Sequence, residues 1–337
     1  MSVLTLTTPD DFHVHFREDQ MLRDVAKYTS ARFARALVMP NTKKPILTGH
    51  DAAIYRSEIV QITGVGFRPL MTIKLVNQTT PAVIDHAHGL GVVAGKLYPE
   101  GVTTNSEDGV RGLENLWEVF AAMEEKKMVL CLHGESPGVF CMDREAAFLS
   151  DLSKISEAFP DLKIVLEHVT TRAAVHAVLE LPNVAATITA HHLLLTLDDV
   201  IGGLIDPHSF CKPIAKTPDD RKALIEAATS GSPKFFFGSD SAPHLRGLKE
   251  CSGGCAGIFS APCALEVLAT IFEAENKIEY LNHFVSEFGA RFYGLQPNAG
   301  HIYLHQEMWI VPCEIAGIVP FMAGKKIFWK FRDWTSY

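Results

Sequence analysis

The chain has 337 residues, 47% of them hydrophobic, and a formal net charge of −8 at pH 7. The apolar share is ample for a large core, and the acidic balance argues against a nucleic-acid binder, which would show a basic patch. No apolar run approaches the roughly 18 residues of a membrane span, and residues 1–10 lack the basic and apolar stretches of a signal peptide.

The first strand expected is Asp11–Phe16, in Asp11-Phe12-His13-Val14-His15-Phe16-Arg17. Alternate side chains of an extended strand share a face. His13 and His15 therefore project together, and two such imidazoles can grip one metal ion. Taken alone, the pair is a weak signal that more often marks ordinary hydrogen-bonded histidines. Further strands are expected at Ala34–Pro40, Gly66–Ile73, Val92–Tyr98, Met128–His133, Lys163–His168, Val184–Thr189 and Phe235–Ser239. They are rich in Val, Ile, Leu and Phe and hardly alternate in polarity, as strands buried on both faces do. Amphipathic helices are expected at His50–Ile62, Val110–Lys126, Arg144–Ala158, Thr171–Leu179 and Pro218–Ala228.

Eight strands separated by helices predict an α/β fold of the (β/α)8 TIM-barrel type. An open doubly wound sheet is the competing arrangement, but no Gly-x-Gly-x-x-Gly turn or phosphate loop supports nucleotide binding. A helix at Cys263–Glu275 and a tail ending near Phe328 are expected to pack on the barrel, so residues 1–337 read as one domain. The seven cysteines show no C-x-x-C pairs. Cys251 and Cys255 resemble half a zinc site without a second half. Reduced thiols in a cytoplasmic protein are the expected state.

Metal-capable residues recur at the strand ends: His13 and His15 on the first, Lys96 on the fourth, His133 on the fifth, His168 on the sixth and Asp240 after the eighth. In a parallel barrel these ends open onto one face, where active sites form. Each has a plainer reading, such as helix capping by Asp240 or ion pairing by Lys96. Together they form a plausible metal cluster.

The motifs resemble those of a known family, nearly end to end. They are Asp11–Arg17, Met39-Pro40-Asn41-Thr42, Lys96-Leu97-Tyr98-Pro99, Thr103-Thr104-Asn105-Ser106, His133-Gly134-Glu135, Glu167-His168-Val169-Thr170-Thr171, Gly238-Ser239-Asp240-Ser241-Ala242-Pro243-His244 and Gly254-Cys255-Ala256-Gly257. The chain is similar to the short, single-domain dihydroorotases of the amidohydrolase superfamily. The resemblance implies two Zn2+ ions: His13, His15 and Asp240 on one, His133 and His168 on the other. Lys96, carboxylated on its amine, would bridge both, as would a water or hydroxide. Two Zn2+ against carbamate, Asp240 and hydroxide leave a residual positive charge suited to an anionic substrate.

The same resemblance implies reversible opening of dihydroorotate to N-carbamoyl-aspartate, with Asp240 as the proton shuttle. Substrate contacts would come from His15, Arg17, Asn41, His133, His244, Lys212 and Ala256. Lys212, in Cys211-Lys212-Pro213-Ile214, departs from the apolar residue common there, which is immaterial if its main chain makes the contact. Thr103 and Thr104 sit in a Gly- and Thr-rich loop that reads as an ordinary connection or as the family's lid. A small-molecule substrate and a homodimer are implied as well. Hydantoinases and allantoinases, related cyclic amidases, are the alternative; a catalytically inactive barrel is another. Many of those amidases build a β-sandwich partly from residues before the first barrel strand, for which the segment ahead of His13 leaves little room.

Overall fold

The computed structural model describes residues 2–103, 106 and 109–332. After β1 (Val3–Thr7), eight strands follow one another around a parallel sheet: β2 (Asp10–Val14), β3 (Arg35–Val38), β4 (Arg68–Leu75), β5 (Val92–Leu97), β6 (Val129–His133), β7 (Ile164–Glu167), β8 (Val184–Ile188) and β9 (Phe235–Phe237). The major helices between them are α1 (Asp19–Ser30), α2 (Gly49–Thr63), α3 (Pro81–Gly89), α4 (Trp117–Glu125), α5 (Arg144–Ala158), α6 (Arg172–Glu180), the short α7 (Leu197–Ile201) and α8 (Pro218–Ala228). The sheet is a nearly closed TIM barrel, not an open doubly wound sheet.

The strands are buried on both faces, as their unalternating sequences require. One set of side chains fills the barrel interior: Phe12, Leu37, Leu70, Ala94, Val129, Cys131, Val165, Ala185 and Phe236. The other set packs outward on the helices. The period of two then carries inward parity up to the strand ends, along Ala94–Lys96–Tyr98, Val129–Cys131–His133 and Phe236–Gly238–Asp240. Local sequence starts several helices: Thr48 with Asp51, Thr196 with Asp199 and Thr217 with Asp220 each form a capping box.

The circle closes where β9 meets β2. Val14 and Ser241 form a parallel bridge. Asp240 N–H donates to the His13 carbonyl at 2.9 Å, and His15 N–H to that of Ser241 at 3.0 Å. Beneath them the Asp11 carboxylate accepts from Ser239 N–H (2.8 Å), Ser239 Oγ (2.6 Å) and His13 N–H (3.1 Å). Gly238 permits this approach, because a Cβ there would lie 3.0 Å from His13 Cβ and from Thr187 Cβ.

Two local expectations differ from the structure, and α1, α3 and β1 add to the elements expected. The first strand stops at Val14, and its register shifts between Asp11 and Val14, so Phe12 and His13 both serve the interior despite adjacent parity. The helix expected over Val110–Lys126 is shorter: Val110 is extended in a bridge to Pro99, Gly112 turns with φ +70°, and α4 begins only at Trp117. The α1 and α3 helices were not among the expected elements. The segment ahead of His13 does form a strand, with β1 pairing antiparallel with β10 (His301–His305), which also pairs with β13 (Lys330–Phe331). A two-stranded ribbon of β11 (Trp309–Ile310) and β12 (Lys326–Ile327) lies between them in sequence. Leu6, Ile302, Leu304, Ile327 and Trp329 join the same apolar core as the outer barrel face.

The Asp11 latch sets a test. Asp11→Ala leaves buried donors unpaired and is expected to destabilise the fold by about 2–4 kcal/mol. Asp11→Asn retains an acceptor for both N–H groups and is expected to lose less than half of that, as read from urea unfolding of the two variants.

Candidate active site

The barrel gathers the residues at its C-terminal rim. His13 lies within β2 and His15 just beyond it, Lys96 within β5, and His133 ends β6; His168 follows β7, and Asp240 lies three residues past β9. All six are buried, Lys96 completely. His13 Nε2 is 3.2 Å from His15 Nε2 and 3.3 Å from Asp240 Oδ1, and His15 Nε2 is 3.2 Å from the same oxygen. His168 stands 5.0 Å from His13 and 4.8 Å from His133 between ring centroids.

Three donor atoms at such separations match the edges of a ligand tetrahedron around zinc, which at bond lengths of about 2.0–2.1 Å measure roughly 3.3 Å. Burial lowers the pKa of His13, His15, His133 and His168, so each is a neutral imidazole with a lone pair available. His168 Nδ1 is buried without a hydrogen-bond partner. Lys96 makes an ion pair with Glu167, and burial pushes its amine down to about 7. The donor set fits a cation bound among neutral imidazoles and carboxylates.

A shell of carboxylates holds the ligands. Glu135 Oε2 lies 2.7 Å from His133 Nε2, so the opposite nitrogen, Nδ1, is the one left for a metal. Glu167 Oε1 lies 3.2 Å from His13 Nδ1, and His13 Nε2 faces His15 and Asp240. Glu145, on α5, accepts from Thr170 N–H (2.9 Å) and Thr171 Oγ1 (2.5 Å), anchoring the turn after His168. Three residues at the rim adopt left-handed backbone, Arg17 (φ +61°), His168 (φ +43°) and Asp240 (φ +41°). For residues other than glycine this conformation costs on the order of 1–3 kcal/mol each.

The substrate side is assembled from loops. Arg17, Asn41, Tyr98, Thr103, Lys212, Ala242, Ala256 and Gly257 line the cavity above His13, His15, His133, His168 and Asp240. Arg17 arrives by its left-handed turn beyond the strand, not by strand alternation. Its Nε donates to the Pro243 carbonyl at 3.1 Å, and its Nη2 is 3.0 Å from His244 Nε2. His244 adjoins the cavity, its Nε2 3.1 Å from the Ala256 carbonyl. Thr104 lies outside the described residues.

A third His/Cys group, His191, His192 and Cys211, is also buried. There His192 Nε2 donates to the Pro213 carbonyl (3.0 Å), while Nδ1 faces Thr189 Oγ1 (2.9 Å). With both nitrogens engaged, His192 braces the Cys211–Pro213 segment.

Residues 11–323 match the Amidohydrolase family. A dihydroorotase of Shewanella woodyi is 46% identical, over 99% of this chain and 100% of its own length. The dihydroorotase of Saccharomyces cerevisiae, solved with 5-fluoroorotic acid, superposes with a TM-score of 0.94 at 37% identity, covering 98% of this chain and 99% of that one. That of Campylobacter jejuni gives 0.91 at 38% identity, covering 98% and 97%. The chain belongs to the dihydroorotases of the amidohydrolase family. It is thus a hydrolase acting on cyclic amides, with a His/Asp cluster suited to metal.

Within this dihydroorotase frame, sequence reasoning passed over Glu135, Glu167 and Tyr98 as functional residues, although all three stood in the quoted motifs. A usable signal existed for Tyr98, two residues beyond Lys96 and so on the same face of the strand. Glu135 acts through His133, and Glu167 stands against Lys96 and His13, contacts that only the tertiary structure defines. Glu135→Ala is expected to weaken metal retention about 10–100-fold, measured by metal analysis after dialysis against a graded chelator.

Proposed function

We propose that the chain catalyses the reversible cyclisation of N-carbamoyl-L-aspartate to L-dihydroorotate, serving de novo pyrimidine synthesis. The observation that carries this reading is the convergence of four imidazoles, Lys96 and Asp240 beneath a cavity walled by Arg17 and Asn41. His13, His15 and Asp240 would hold one zinc ion and His133 and His168 the other, with Lys96 as a carbamate between them. Burial lowers the Lys96 pKa, which favours the free amine that adds carbon dioxide. Once bound, the ions supply Lewis-acid polarisation of the ring carbonyl and acidify a water.

The chain's own groups do the rest. Arg17, oriented by Pro243 and His244, presents its remaining N–H groups to the substrate carboxylate. Asn41 and His244 complete that anchor, and the main chain at Lys212 and Ala256 faces the ring. In the hydrolytic direction a water oxygen bonds to the ring carbonyl carbon and its proton passes to Asp240. Asp240 then protonates the ring nitrogen as the C–N bond breaks, and the new carboxyl group releases a proton to solvent. Thr103 and Thr104 would close over the bound ring and exclude water.

One domain, a cytoplasmic location and a homodimer belong to the same proposal. All seven cysteines are unpaired, no helix of the described residues is long and apolar enough to cross a membrane, and Leu204 and Ile205 are exposed at 97% and 75%, apolar side chains that a second copy would cover.

The deciding experiment measures zinc content together with turnover of dihydroorotate, hydantoin and allantoin. About two zinc ions per chain and preference for dihydroorotate are expected; clean turnover of another ring alone would refute the assignment. Asp240→Asn is expected to lower rates in both directions by about 10²–10⁴-fold with the fold retained, checked by steady-state kinetics and circular dichroism. Lys96→Ala is expected to lose metal and to be partly rescued by added short carboxylic acids, seen in metal occupancy as well as in rate.

A further inference from the structure

Lys249 ends the short helix α9 (Arg246–Lys249) and is only 4% exposed. Its ammonium donates to three main-chain carbonyls: Phe210 at 3.1 Å, Cys255 at 3.0 Å and Gly257 at 2.6 Å. An ammonium has three donors, and all three are used. Among the described residues Lys249 has no carboxylate within ion-pair distance.

The carbonyls come from two separate stretches that both reach the cavity. Phe210 precedes Cys211 and Lys212; Cys255 and Gly257 flank Ala256; and Lys212, Ala256 and Gly257 are wall residues. Gly257 N–H also donates to the Phe210 carbonyl at 3.0 Å. Gly257 has φ +144°, and a Cβ there would lie 2.5 Å from the Ala242 carbonyl, so the loop is pressed tightly onto the segment after Asp240. The Ala256 carbonyl lies 3.1 Å from His244 Nε2, and that nitrogen is 3.0 Å from Arg17 Nη2. Three carbonyl oxygens directed at one buried point repel one another, and a cation with three donors is what allows them to converge. A side chain that only filled this space would need no charge.

We propose that Lys249 is a positioning residue for substrate recognition: its ammonium pins the Cys255–Gly257 loop to the Phe210–Lys212 segment and so sets the main-chain wall that meets the ring and the back of the Arg17–His244 carboxylate anchor. It touches neither the metal cluster nor the substrate. This rests on the dihydroorotase reading, and the parent enzyme's own turnover of dihydroorotate tests that reading separately.

The test compares zinc-loaded parent enzyme with Lys249→Met, which keeps length without charge, and Lys249→Arg, which keeps charge but replaces a convergent ammonium with a planar fork. Kinetics in both directions, metal content and thermal unfolding are measured together. In Lys249→Met the KM for dihydroorotate is expected to rise about tenfold or more, with kcat changed by less than about threefold and full metal content. Lys249→Arg is expected to show a smaller rise in the same direction. A folded, metal-replete Met variant with KM within about twofold of the parent, or with loss confined to kcat, overturns the proposal. Should the Met variant not fold, an Arg variant with unchanged KM overturns it equally.

Discussion

The structure depends on the seam that joins the last barrel strand to the first. Among the described residues a single isolated bridge, Val14 with Ser241, stands there in place of a ladder. The buried Asp11 carboxylate takes three donors from Ser239 and His13, and two backbone hydrogen bonds run between residues 13–15 and 240–241. Burial raises the pKa of Asp11 to about 7 against the pull of those donors. The seam is also the metal-binding corner, because Asp240 leaves β9 at the height where His13 and His15 leave β2. Closing the barrel and assembling three of the donor atoms are one event.

Low dielectric then acts on everything gathered at the rim. It keeps the four histidines neutral and lowers the pKa of the Lys96 amine. Such groups are costly to bury in a core but are the right forms for holding cations. The carboxylate of Glu135 orients the His133 ring, and the left-handed turns at His168 and Asp240 aim side chains that a regular strand end would send elsewhere. Strain collects where the ligands are, while the hydrophobic interior below supplies the stability that tolerates it.

Much of this was legible in one dimension. The eight barrel strands were readable because a strand buried on both faces must be apolar throughout, and the ligand-type residues were readable because they interrupt those runs at their ends. The shortened α4 was less so: the run from Val110 to Lys126 suits a helix, but Gly112 turns the chain and Val110 pairs with Pro99. Likewise β1 is a five-residue run whose partner, β10, lies nearly 300 residues away, beyond the reach of local patterning.

The sequence by itself determined the alternation of strand and helix, the inward parity of Lys96 and His133, and the kind of chemistry their side chains can do, since these follow from residue type and local period. Only the tertiary structure decided which nitrogen of His133 faces Glu135, how Arg17 turns back toward His244, and that Lys249 draws two distant loops together. Those arrangements rest on hydrogen bonds and desolvation between segments far apart in the chain, and no local pattern encodes the distance or direction at which such segments meet.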